Sequence, residues 1–195
     1  MKLWFLLLLV VLTSWTLAFS KPPLSAESRL VQVAYVALKA NPASARAQLN
    51  YLLVFPKSKA KFLRIFMDSP TYGQLCDGHD YIEALRRLGK TYPTKVLGIC
   101  LGVEKRMART SDAVAYIANV TVEVGIAHPQ VFADETKRLT AADQIALCRF
   151  LADEEAIEDD ENYSQLIKLL RRDGEMSLST NLQQAKVRRM RQPNH

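Results

Sequence analysis

Within five residues, Cys76-Asp77-Gly78-His79-Asp80 brings together a thiol, an imidazole and two carboxylates. Groups of these types could act as a nucleophile with its general base, or as half of a metal site. Either chemistry needs more than the cluster holds. A catalytic Cys–His pair requires a third group to orient the imidazole, and a closed zinc site requires four ligands. The chain has only 3 His, so carboxylates from distant segments would have to complete the set. The same residues also read as a helix start, with Asp77 as N-cap and Asp80 as a first-turn acid facing the helix dipole. Cys76, His79 and Asp80 are therefore the candidate catalytic residues of a small enzyme. Capping accounts for them without any reaction, and no metal is expected.

Two charged runs offer binding rather than catalysis. Asp153, Glu154, Glu155, Glu158, Asp159, Asp160 and Glu161 form an acidic stretch. It lacks the alternating ligands and the Gly of an EF-hand loop. It reads as a solvated connection between helices or as a docking strip for a basic protein partner. Near the C-terminus, Lys186, Arg188, Arg189 and Arg191 accompany Leu178, Leu182 and Met190. That pattern fits a helix lying on an anionic membrane surface. A peripheral helix that packs its Leu face on the body, its basic end complementing the helix C-terminus, is the preferred reading.

Missing from the chain are a phosphate-binding Gly loop, a Gly-x-Ser-x-Gly elbow, a His-Glu-x-x-His pair and a Cys-x-x-Cys motif. No motif specifies a reaction and no cofactor is implied. The formal charge of +6 is modest and partly gathered at the C-terminus. Nucleic-acid binding calls for a basic stripe across the domain, so no nucleic-acid partner is expected.

The elements that would position these residues begin with a leader. Met1-Lys2 precedes an apolar run over residues 3–12, and Ala18 and Ser20 supply small residues for cleavage before Lys21. Residues 1–20 read as a signal peptide, with an uncleaved anchor as the alternative because the apolar stretch approaches spanning length. Export to a bacterial periplasm or secretion follows. In an oxidising compartment the three cysteines leave one unpaired. Cys100 and Cys148 sit among apolar residues at helical spacing and read as buried. A Cys76–Cys100 bridge with Cys148 free is one arrangement the sequence allows.

After Pro22-Pro23 the pattern is helical nearly throughout. Ser25 caps a helix with Leu30, Val33, Ala34, Ala37 and Leu38 as its apolar stripe. Further helices cover about 43–55, follow Ser58, resume at Asp77, open at Pro93, follow Ser111 or Thr110, open at Pro129 and follow Thr140. Val120-Thr121-Val122-Glu123-Val124 alternates and is β-branched, which suits a strand. A lone strand has nothing to pair with, so helix is expected there too. The fold class is all-α, with residues 21–173 as a helical domain and 174–195 as a basic amphipathic helix and tail.

A spacing runs beneath this order. Pro56, Pro93 and Pro129 each open a helix and lie 37 and 36 residues apart, with Ser164 a further 35 on. Tyr51, Tyr81, Tyr116 and Phe150 follow at intervals of 30, 35 and 34. Helix pairs at this period mark helical solenoids. Over residues 43–173 the chain resembles a short HEAT- or armadillo-type array; an irregular bundle with short connections suits the same elements. The expected function is an exported, non-enzymatic protein-binding or scaffold role. A peripheral membrane protein and a small enzyme at Cys76, His79 and Asp80 are the alternatives.

Overall fold

The computed structural model describes residues 24–66, 75, 78–104, 112–158 and 160–191. The leader assigned to residues 1–20 lies outside them, as do Cys76, Asp77, Asp159 and the side chains of Glu154, Glu155, Glu158 and Asp160. The described residues form ten α-helices and no strand.

The first helix, α1 (Ala26–Ala40), starts where expected: Ser25 accepts a hydrogen bond from the Ser28 amide at 3.1 Å, and Glu27 stands in the first turn. Its buried face is Ser28, Val31, Ala34 and Leu38. Leu30, Val33 and Val36, by contrast, are about 60% exposed (59%, 61% and 59%). The sequence expectation placed Leu30 and Val33 inward. It erred because α1 is apolar around most of its circumference, so periodicity does not choose the face; its packing against α2 does.

Ser44 caps α2 (Ala45–Val54), and Tyr51, Leu52, Phe55 and Phe62 begin the core. Lys61 and Arg64 of α3 (Lys59–Phe66) both pair with Glu27 and tie α3 to α1. The main body follows as α4 (Gly78–Gly89), α5 (Pro93–Glu104), α6 (Asp112–Ala127), α7 (Pro129–Lys137), α8 (Ala141–Glu158), α9 (Asp160–Arg172) and α10 (Met176–Arg191). Pro93 and Pro129 stand at the first helical position of α5 and α7, where a missing N–H removes no bond. Thr140 accepts from the Asp143 amide at 3.2 Å and caps α8. Gly174 takes a φ of +86° after α9, and the Glu175 amide donates back to the Leu170 carbonyl at 2.8 Å. That left-handed turn lets α10 fold back.

Two runs of contact organise the body. In one, α4 packs on α6, α6 on α8 and α8 on α10; in the other, α5 packs on α7 and α7 on α9. Sequence neighbours pack as well: α4 on α5, α5 on α6, α6 on α7, α8 on α9 and α9 on α10. Helix α6 lies at the centre and touches α4, α5, α7, α8 and α9. Its β-branched stretch is helical: Val120, Thr121, Val122 and Val124 are all buried. Tertiary burial on every side outweighs a propensity difference of at most about 1 kcal/mol per residue. Close approach has its own requirements. A Cβ on Gly102 of α5 would stand 2.6 Å from the Lys57 carbonyl oxygen, so only glycine lets the chain before α3 lie against that helix.

The acidic stretch departs from its expected form as a loop. Helix α8 continues through residues 153–158 and α9 starts at Asp160. Ala and Glu are good helix formers, and Asp153 approaches Arg189 of α10 at 3.4 Å. The C-terminal helix buries Leu178, Ser179, Leu182 and Ala185 against α8 and α9.

Candidate functional site

The sequence-derived candidates do not converge where the structure describes them. His79 and Asp80 open α4, each with a side chain 58% exposed, and Asp80 Oδ1 stands 3.9 Å from His79 Nδ1. The His79 ring meets the edge of Tyr116 at 4.6 Å. Asp80 accepts a long 3.4 Å hydrogen bond from the Tyr35 hydroxyl. Among the described residues, no three His, Cys, Asp or Glu side chains gather as metal ligands would.

The other two thiols are sealed in. Cys100 and Cys148 are buried and free, so Cys100 forms no bridge. Burial pushes the Cys100 thiol well above its usual range, with the Glu104 carboxyl adding to the effect. Burial likewise raises Cys148 to about 12. Neither has the thiolate character that nucleophilic work requires.

Of the basic C-terminal residues, Lys186 donates to Ser164 at 2.8 Å and Arg189 reaches Asp153. Both are engaged by the body. Arg188 and Arg191 face solvent. Glu161 of the acidic run is exposed as well. Among the described residues, no helix is long and apolar enough to cross a membrane.

Two clefts that include residues of α2 could receive a ligand. One, of about 460 Å³, lies between α1, α2 and α4 and includes Tyr35, Lys39, Asp80, Glu83 and Arg87. Its Glu83 is already answered: Arg86 donates at 2.6 Å and Arg87 at 3.1 Å, and Arg86 bridges on to Glu123 of α6 at 2.9 Å. The Arg86 hydrogen bond is the chief reason that the Glu83 carboxyl is held down at about 2.

The second cleft is different in kind. A groove of about 520 Å³ crosses α2, α5 and α7. Leu49, Leu52, Leu53 and Ile99 supply its apolar wall, while Lys57 and Lys95 stand at its rim. Leu53 is 68% exposed and Leu49 41%. These lie at i and i+4, on one face of α2, and no helix among the described residues covers them. Glu135, almost fully buried, pairs with Arg138 and so cancels that charge within the groove. Lys57 and Lys95 have no carboxylate within ion-pair distance among the described residues. The groove therefore combines uncovered apolar surface with two unanswered positive charges.

Sequence reasoning did not find it. Leu49 and Leu53 are ordinary members of a helix expected over about 43–55, and nothing local distinguishes an outward apolar pair from a core pair. Comparison with known proteins adds no label: no protein family, curated protein or solved structure matches the chain.

Proposed function

We propose that this chain is an exported, non-enzymatic binding protein whose groove between α2, α5 and α7 receives a segment of another protein. The segment is amphipathic, with apolar side chains that cover Leu49 and Leu53 and carboxylates that meet Lys57 and Lys95. The observation that carries this reading is the pairing of uncovered leucines with unanswered lysines on one concave surface. Exposed apolar surface rimmed by charge is the usual form of a protein-binding site. Complementary charge would select the partner and speed its arrival.

We propose further that the helices form a short HEAT- or armadillo-like array. Two features support it: the alternate packing α4–α6–α8–α10 against α5–α7–α9, and the prolines 93 and 129 at equivalent helix starts. In such an array one layer presents a continuous surface to a partner. The groove lies on the layer that carries α5 and α7.

A photoreactive side chain placed at position 53, in the full-length chain in its own cells, tests the reading. The same group at exposed Thr180 on α10 is the reference. A discrete protein adduct from position 53, absent from position 180 and lost on charge reversal at Lys57 and Lys95, is expected. Equal labelling from the two positions, or no adduct from position 53, refutes the proposal.

A further inference from the structure

A second cavity, remote from the groove, has the composition of an anion site. It lies open to solvent between α8 and α10, holds about 180 Å³, and is lined by Ile145, Cys148 and Arg149 from one helix and Asn181, Gln184, Ala185 and Arg188 from the other, with Arg149, Gln184 and Arg188 exposed at its mouth. The spacing is regular. On α10 the residues 181, 184, 185 and 188 fall on one stripe, and on α8 the residues 148 and 149 stand opposite. Leu147 and Leu151 of α8 and Leu178 and Leu182 of α10 are buried, whereas the cavity stays open and sets two arginines and two amides around Ile145, Cys148 and Ala185.

Charge decides what can enter. Arg149 and Arg188 contribute two guanidinium groups, and Asn181 and Gln184 add amide donors. No acidic side chain among the described residues lines the cavity. Among the described residues, neither arginine has a carboxylate within ion-pair distance. Arg64, Arg86, Arg138 and Arg189 are paired with carboxylates; Arg149 and Arg188 are among the arginines that are not, and these two share one cavity. An anion held between the two guanidinium groups would answer both charges at once. The space of about 180 Å³ leaves room for a tetrahedral oxyanion that keeps part of its hydration. Guanidinium forks suit such an ion because they donate in pairs.

We infer that Arg149, Arg188, Asn181 and Gln184 form a binding site for a phosphate group. The group sits between α8 and α10, bridged by the two arginines, with the apolar floor of Cys148 and Ala185 beneath it. The phosphate is either a free ion or the headgroup of an anionic lipid, and both offer the same oxygens to the same donors. This site is independent of the groove, and its test does not depend on finding a protein partner.

Thermal unfolding of the full chain in increasing inorganic phosphate, with chloride matched for ionic strength, reads the first source. Binding to vesicles of phosphatidylcholine with and without phosphatidic acid reads the second. The expected result is a saturable rise in Tm of about 5–10 °C at roughly a hundredfold excess over Kd, or saturable binding to the phosphatidic acid vesicles. Arg149→Gln and Arg188→Gln each weaken the response about tenfold, and together they abolish it. Arg46→Gln, an exposed change on α2, leaves it intact. A response to phosphate alone assigns a free ion; one to vesicles alone assigns a headgroup. The inference is overturned if neither probe binds saturably, or if binding survives the double substitution in a variant whose unliganded Tm is unchanged.

Discussion

Truncation of Leu53 to alanine separates binding from stability, and its size follows from exposure. In the free chain 68% of this residue is open to water, so its loss alters folding by no more than about 0.5 kcal/mol. In the complex a partner would cover that remainder. Full burial of a leucine side chain is worth roughly 1.5–3 kcal/mol; about two thirds of it gives ~1–2 kcal/mol, a loss of roughly 5–30-fold in affinity. Leu49 is 41% exposed and adds about 0.6–1.2 kcal/mol by the same reasoning, so the double variant loses about 15–200-fold. Leu52 is the contrast. It sits between the two in sequence but is only 3% exposed, and Leu52→Ala costs about 2–5 kcal/mol of stability. Thermal unfolding by circular dichroism and titration with the crosslinked partner segment measure both quantities. Unchanged affinity in Leu53→Ala refutes the assignment of the groove. A fall in Tm equal to that of Leu52→Ala refutes the placement of the residue.

Four further outcomes are expected. Gly102→Ala puts a methyl 2.6 Å from a backbone oxygen that cannot swing away, whereas Gly98→Ala meets nothing closer than 3.8 Å. Thermal melts should show a loss of about 1–3 kcal/mol at position 102, reduced by up to about 1 kcal/mol of helix propensity, and none at position 98. The buried Tyr163 hydroxyl donates to the Leu182 carbonyl at 3.0 Å, so Tyr163→Phe should cost about 1 kcal/mol in denaturant unfolding. Glu83 is held at about 2 against an ordinary 4.5; the stability it contributes is fully present above about pH 4.5 and drains away as pH falls toward 2. Being partly solvent-facing, it is worth no more than about 1 kcal/mol, and Glu83→Gln should flatten the acid limb of the stability profile by that amount. Peptide mapping after mild alkylation at neutral pH should leave Cys100 and Cys148 unmodified until the chain unfolds.

Much of the architecture was legible because helix signals are local. Ser25 and Thr140 cap where their hydroxyls were expected to, Pro93 and Pro129 open helices, and Gly174 ends one. Each depends on residues within one turn. Faces were read less well. Leu30 and Val33 were assigned inward and Val31 was not, since an all-round apolar helix gives no direction until its neighbours are placed. Nor did the acidic stretch announce that it would continue as helix, because its answer, Arg189, lies 36 residues away in sequence. The groove and the arginine cavity were invisible for the same reason. Leu49 and Leu53, or Arg149 and Arg188, acquire meaning only when separate helices leave a gap between them.

Helix α6 carries a hazard along with its central position. Residues 117–127, Ile-Ala-Asn-Val-Thr-Val-Glu-Val-Gly-Ile-Ala, hold one formal charge and no proline, the composition of a segment that joins cross-β assemblies once released. Five neighbouring helices keep it from doing so. Whatever loosens those neighbours uncovers a strand-former in an otherwise helical molecule. Heated past its transition, the protein should therefore fail to refold and should gain β-structure as it precipitates, while changes confined to α1 or to the end of α10 leave this segment guarded.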